Sequence, residues 1–225
     1  MEKIVALNHK MNMDYDELQD YIDDLKKINL NPIVFPTAIH APYFVEDHFR
    51  TGLQNIYFQD NGAFTGETSP KQAKKLGIEY VLVGHSERRE LFSESNEEIN
   101  KKIKLALEND LKVILCVGEK NNEDYQTVIK RQIKEGLQNI TKPVIIAYEP
   151  VWAIGSGVIP SNEHIKTVIT YIQSLLNYDV KVLYGGSVNS TTIQKINEVN
   201  VVSGYLIGGS STSIQELKKI KEVVS

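Results

Sequence analysis

Sulfur chemistry is nearly absent from this chain: its one cysteine, Cys116, has no partner for an intramolecular disulfide. A fold held by its core in a reducing, cytoplasmic setting is therefore expected. The N-terminus lacks the basic stretch and apolar run of a secretory signal, and no run of roughly 18 apolar residues occurs, so neither export nor a membrane span is expected. Positive charge is in deficit, with 25 Lys and Arg against 29 Asp and Glu and a net charge of −4. Such a chain has no broad field for collecting phosphodiesters, which argues against a nucleic-acid partner, and any anionic ligand must be held locally. Low-complexity stretches, charge blocks and Pro/Gly-rich linkers are also missing, so residues 1–225 are expected to form one domain.

What is present is a core and a rhythm. Hydrophobic residues make up 41% and charged residues 24%, the balance of an ordinary globular chain. Short apolar runs predict strands at Lys3 to Leu7, Pro32 to Phe35, Asn55 to Phe58, Tyr80 to Val83, Val113 to Val117, Val144 to Tyr148, Val180 to Tyr184 and Gly204 to Ile207. Between them run stripes of helical period, such as Tyr15, Leu18, Ile22, Leu25 and Ile28, or Ile99, Ile103, Ala106 and Leu107. Ser69-Pro70 opens a short helix that Gly77 closes, and Ser95 with Glu98 has the spacing of a capping box. Strict alternation of strand and helix demands a parallel sheet. Eight such units in a chain near the roughly 250 residues of a typical barrel predict an α/β fold, a closed (β/α)8 TIM barrel. The rival, an open doubly wound sheet, usually carries a glycine-rich turn after its first strand, where this chain has Leu7-Asn8-His9-Lys10.

In such a barrel, chemistry gathers at the C-terminal strand ends. Strand one runs into Asn8 and Lys10, strand four into His85-Ser86-Glu87, and strand six into Glu149-Pro150. Strands seven and eight run into Gly185-Gly186-Ser187 and Gly208-Gly209-Ser210. Glycine lets backbone N–H groups approach an anion, so the last two turns read as a phosphate cradle. Taken singly, each polar residue has a plainer reading: Lys10 as a solvated loop lysine, Asn8 as a turn former, Glu149 as the partner of a nearby cation, His85 as a structural histidine. Cys116 reads as a small buried hydrophobe. Arg88, Arg89 and every lysine except Lys10 read as solvated surface or salt bridges.

Longer blocks then match a known family along nearly the whole chain. They are Asn8-His9-Lys10-Met11-Asn12, Gly62-Ala63-Phe64-Thr65-Gly66-Glu67, Val83 to Arg89, Cys116 to Glu119, Ala147 to Gly155, and Tyr184 to Val188. In these blocks the chain resembles the triosephosphate isomerase family of the bacterial and eukaryotic type. The resemblance implies interconversion of dihydroxyacetone phosphate and D-glyceraldehyde 3-phosphate through an enediolate, with no cofactor and no metal. It implies Glu149 as base, neutral His85 as electrophile, and Lys10 and Asn8 as the substrate-contacting pair, supported by Ser86 and Glu87. Gly155, Ser187, Gly208 and Gly209 are implied to hold the phosphate, and Thr65 to reach a neighbouring subunit. A homodimer is implied, with a tetramer open, and residues 151–158 are implied to form a mobile lid.

The chain departs from the family pattern in places. His9 stands where the family usually has tryptophan, and its side chain is expected to point away from the substrate. Val158-Ile159-Pro160 replaces the usual second hinge of the lid, where proline stiffens the backbone. Two alternatives accompany the main reading: a phosphate-binding barrel isomerase or aldolase for a larger sugar, which needs a roomier pocket, and a non-catalytic binding protein on the same fold. The four intact polar groups weigh against the second.

Overall fold

The computed structural model describes residues 3–224. Eight strands close into one parallel barrel in chain order: β1 (Ile4–Asn8), β2 (Ile33–Phe35), β3 (Arg50–Leu53), β4 (Tyr80–Val83), β5 (Lys112–Val117), β6 (Ile145–Tyr148), β7 (Val182–Tyr184) and β8 (Gly204–Ile207). Closure comes from β1 pairing with β8, Ile4 opposite Gly204 and Leu7 opposite Ile207. The barrel is as expected, and seven of the eight strands begin and end within two residues of their predicted places.

The third strand does not. It was expected at Asn55 to Phe58 but forms at Arg50–Leu53, and residues 54–69 run as a loop with only Ile56 and Ser69 buried. Arg50-Thr51-Gly52-Leu53 offers a single bulky apolar side chain, so it gives no apolar run to read. The space it leaves is filled from next door: a Cβ on Gly52 would lie 2.2 Å from the ring of Phe35 in β2. One large interior side chain substitutes for two.

Alternation along each strand splits the core into two shells. Ala6, Phe35, Leu82, Ile114, Cys116 and Leu206 point inward with their neighbours, whereas Val5, Leu7, Val113, Leu115 and Val117 face the helices. The surrounding helices begin with α1 (Tyr15–Ile28), α2 (Ala41–Glu46) and α3 (Pro70–Leu76). They continue with α4 (Ser86–Leu91), α5 (Asn96–Glu108), α6 (Tyr125–Gly136), α7 (Asn162–Ser174), α8 (Ile193–Asn197) and α9 (Ile214–Val224). The expected starts and stops are in place: Ser69 accepts from the Gln72 N–H, Gly77 closes α3 at φ 104°, and Ser95 with Glu98 caps α5 reciprocally. In α1 the apolar stripe is buried except for Tyr15, which stays exposed beside Tyr43. Among the described residues no helix is long and apolar enough to cross a membrane.

Two surface readings need correction. Lys102, on α5, is buried and pairs with buried Glu94, its ammonium also donating to Asn55 Oδ1 at 2.8 Å. Arg89 is likewise internal, donating to the carbonyls of Gly84 (2.7 Å) and Cys116 (3.2 Å) and to Asn96 Oδ1 (2.6 Å). Burial lowers its pKa, yet a guanidinium stays charged, and these acceptors replace water.

Candidate active site

At the C-terminal mouth, Asn8, Lys10, His85, Glu149, Gly155, Ser187, Gly208 and Gly209 all line one cavity of about 320 Å³. Residues up to 201 positions apart in the chain, Asn8 and Gly209, meet there because the barrel closes first strand on last.

The cation is held in place from three sides. Lys10 takes a left-handed backbone, φ 54°, a conformation that costs a non-glycine residue about 1 kcal/mol or more. Its N–H donates to Asn8 Oδ1 (3.1 Å), and its carbonyl accepts from Gln54 Nε2 (2.8 Å), which also reaches the Phe35 carbonyl (2.9 Å). Its ammonium meets Glu87 Oε1 at 2.5 Å. The side chain crosses Gly208 so closely that a Cβ there would stand 3.0 Å from Lys10 Cε.

His85 caps α4 with its own ring: Nδ1 accepts the Glu87 N–H at 3.2 Å. A nitrogen that accepts cannot carry the proton, so the neutral tautomer has its hydrogen on Nε2. Nε2 lies 3.1 Å from Glu149 Oε1, and the other carboxylate oxygen accepts the Ser86 N–H at 3.0 Å. Both Glu149 and His85 are nearly buried, with 2% and 6% exposure, so their interaction is little screened by water. Behind Glu149 sits Cys116, whose pKa is pushed up by burial and then by the Glu149 carboxylate, so it is a neutral thiol. It is the small buried hydrophobe expected.

The same cavity is lined by the turn after β8. Gly209–Thr212 form a 3-10 turn whose first N–H groups find no acceptor within the turn itself. Ser211 Oγ donates to the Asn8 carbonyl (2.9 Å), and Tyr21 OH donates to the Ser211 carbonyl (2.6 Å). Tyr21 OH in turn lies 3.1 Å from His9 Nε2. His9 is enclosed by Tyr21 and Phe44, outside the cavity as expected, and burial followed by the nearby His40 lowers its pKa to about 3.

After β6, Val151–Ala153 form a 3-10 turn and Trp152 Nε1 donates to buried Glu119 (3.1 Å), which also accepts from Tyr148 OH (3.1 Å). The Ser187 hydroxyl bonds both the Ala153 carbonyl (2.6 Å) and the Gly157 N–H (3.1 Å), tying residues 153–157 to the strand-seven turn.

Not every expected site residue faces the cavity. Ser86 and Glu87 act on it from behind, through Glu149 and Lys10, and Thr65 is exposed in the loop after β3. Gln54 and Ser211 were missed. Gln54 directly follows Leu53, so a correctly placed third strand would have presented it as a strand-end polar residue. Ser211 sits next to Ser210 in the turn already singled out.

A parallel barrel with a carboxylate, an imidazole and an ammonium facing two glycine turns defines the class: a barrel enzyme suited to acid–base chemistry on a small phosphorylated substrate. The family model described as triosephosphate isomerase matches residues 3–224, and the chain belongs to that family. The triosephosphate isomerase of Natranaerobius thermophilus is 38% identical over 243 aligned positions, covering 98% of this chain and 95% of that protein. That of Finegoldia magna is 37% identical, covering 96% of each, and that of Clostridium tetani is 36% identical, covering 96% of this chain and 94% of the relative.

Proposed function

We propose that the chain interconverts dihydroxyacetone phosphate and D-glyceraldehyde 3-phosphate, with Glu149 moving the proton. The observation that carries this reading is the convergence of Glu149, His85, Lys10 and the Gly208-Gly209 turn on one cavity. Glu149 takes the proton from the carbon beside the carbonyl, and Nε2–H of His85 donates to the carbonyl oxygen as charge develops there. Lys10 supplies positive potential to the same oxygens, and Asn8 orients the substrate. His85 gives its Nε2 proton to the former carbonyl oxygen and takes up the hydroxyl proton of the adjacent carbon, and Glu149 returns its proton to the neighbouring carbon, so that a new carbonyl forms where the hydroxyl stood. One carbon is oxidised as its neighbour is reduced, so the step needs neither an external electron acceptor nor a cofactor.

The phosphate is held by N–H groups of Gly155, Ser187, Gly208 and Gly209, far enough from the carbonyl that it anchors without reacting. Residues 151–158 serve as the lid: closing excludes water and protects the enediolate from losing phosphate. A cavity of about 320 Å³ lies at the small end of the roughly 300–1,000 Å³ typical of ligand sites, which favours a triose over a larger sugar phosphate.

The same reading covers the assembly. Residues 1–225 form a single barrel domain that works in the cytoplasm as a homodimer. Met11 and Phe64, on the loops after β1 and β3, and Leu91 and Phe92, at the end of α4, are exposed apolar residues, and Thr65 follows Phe64 directly. Light scattering is expected to give a dimer; a strictly monomeric active protein would remove the role of Thr65, and a tetramer would add a second interface. A coupled assay following glyceraldehyde 3-phosphate tests the reaction, with Glu149→Gln as control. Absence of turnover in the folded protein would turn the reading toward a larger substrate or a binding role.

A further inference from the structure

The opposite end of the barrel is not filled. At the N-terminal mouth a cavity of about 520 Å³ opens beneath the starts of β1 to β7, larger than the cavity at the other mouth. Its floor is aliphatic: Ile4, Ile33 and Ile145 reach it from the interior cluster, and Val113, Val144 and Leu107 from the outer one. Its rim is cationic. Arg50 and Lys112 begin β3 and β5, Lys142 and Lys181 precede β6 and β7, and Asp179 is the one carboxylate among the described lining residues. This positive ring belongs to a chain whose net charge is −4.

The cations are incompletely satisfied. Lys112 is the best satisfied, with Glu79 at 3.2 Å, the Tyr80 hydroxyl at 3.4 Å and the Tyr80 ring at 4.8 Å, whereas Lys142 has the Leu107 carbonyl at 2.8 Å and Asp110 only at 3.7 Å. Arg50 donates through Nη2 to the Asn31 carbonyl, but its Nε–H is buried without an acceptor. Lys181 has no side-chain hydrogen bond or ion pair among the described residues.

We propose that this mouth binds an acyl carboxylate, the alkyl chain lying on the Ile/Val floor and the carboxylate between Lys142, Lys181 and Arg50. Each part of the cavity excludes a simpler occupant. An inorganic anion leaves the aliphatic floor wet, and a neutral alkyl compound leaves the cations uncompensated. An amphiphilic cation is repelled at the rim. A peptide brings backbone N–H and C=O groups onto a floor with no partners for them. The alkyl carboxylate matches both surfaces, and the distance between the two mouths leaves the substrate cavity free.

The probe is decanoate, titrated below its micelle concentration into the full chain at low ionic strength. One molecule is expected to bind, with a negative heat-capacity change and a rise in Tm. Methyl NMR shifts are expected at Ile4, Ile33 and Ile145 and not at Leu206, which lines the substrate cavity, and saturating inorganic phosphate is expected not to displace decanoate. Lys142→Glu/Lys181→Glu, both changes at exposed lysines, is expected to weaken binding at least tenfold while the protein stays folded, and Lys142→Gln/Lys181→Gln less. Decanol and decyltrimethylammonium are expected to bind at least tenfold more weakly than decanoate. The proposal is overturned by absent binding, by shifts centred on Leu206, by displacement with phosphate, or by equal binding of the neutral or cationic analogue.

Discussion

The two mouths of the barrel are built from the same eight strands, yet they handle polarity in opposite ways. At the C-terminal mouth the polar side chains are tied to neighbours: Lys10 to Glu87, Glu149 to the Ser86 N–H and His85, and Asn8 Oδ1 to the Lys10 N–H. The backbone there accepts strain at Lys10 to aim an ammonium, and the neighbouring contacts hold it. At the N-terminal mouth the charged groups are long, flexible and loosely paired over an aliphatic floor, and close backbone packing sits just above them. The first end is organised for chemistry at fixed positions. The second carries packing, so equal-sized changes at the two ends should be felt in different measurements.

The largest effect is expected from Glu149→Gln. It removes the proposed base and keeps the shape, so kcat should fall by about a thousandfold while thermal unfolding shows no loss of stability. A kcat within tenfold of the parent would assign the proton transfer to another group. Gly204→Ala should do the reverse. A Cβ there meets the Ile4 carbonyl oxygen at 2.0 Å, and forcing β1 and β8 apart should cost about 3 kcal/mol. Urea unfolding measures that cost, and activity per folded molecule should be retained; lost turnover in a fully folded variant would contradict the division between the two ends.

The third prediction concerns pH. Folded His9 has its pKa lowered to about 3 from an ordinary 6.5, so the unfolded chain takes up a proton there that the folded chain refuses. The stability is fully present above pH 6.5 and is lost as pH falls toward 3. The loss is about 1.4 kcal/mol per unit, or about 2 kcal/mol by pH 5. His9→Phe keeps the aromatic packing and deletes the titration, so its stability relative to the parent should improve by that amount between pH 7 and pH 5. Parallel urea curves at both pH values would refute it. The smallest effect is expected for Gln54→Ala, which frees the Lys10 carbonyl: kcat/KM should drop by about tenfold, equivalent to about 1.4 kcal/mol, with the loss showing more in kcat than in KM.

Much of this arrangement was legible in the residues, because buried strands announce themselves as apolar runs and barrel chemistry follows the run. Asn8, His85 and Glu149 were singled out that way, and all three line the cavity at the C-terminal mouth. The failures share one cause, a property supplied by a distant neighbour. The interior space of β3 is filled by Phe35, so Arg50 to Leu53 did not read as a strand and Gln54 did not read as its end. Lys102 is buried because Glu94 and Asn55 meet it there, and the helical sequence around it carries no sign of either. His9 marks the intermediate case: its direction away from the cavity was expected from the family pattern, but the Tyr21 and Ser211 link behind it was not.

Closure of β1 on β8 has a consequence for biosynthesis. Lys10 and the Gly208-Gly209 turn that it touches come from opposite ends of the chain, and the Ser211–Asn8 hydrogen bond spans 203 positions. On the ribosome, the first strand emerges long before the last is made, and must wait for it. Fragments ending before Gly204 lack one wall of the site, so turnover cannot begin until translation has passed that point. The site is thus assembled by the closing strand pair and not by any one segment of the chain.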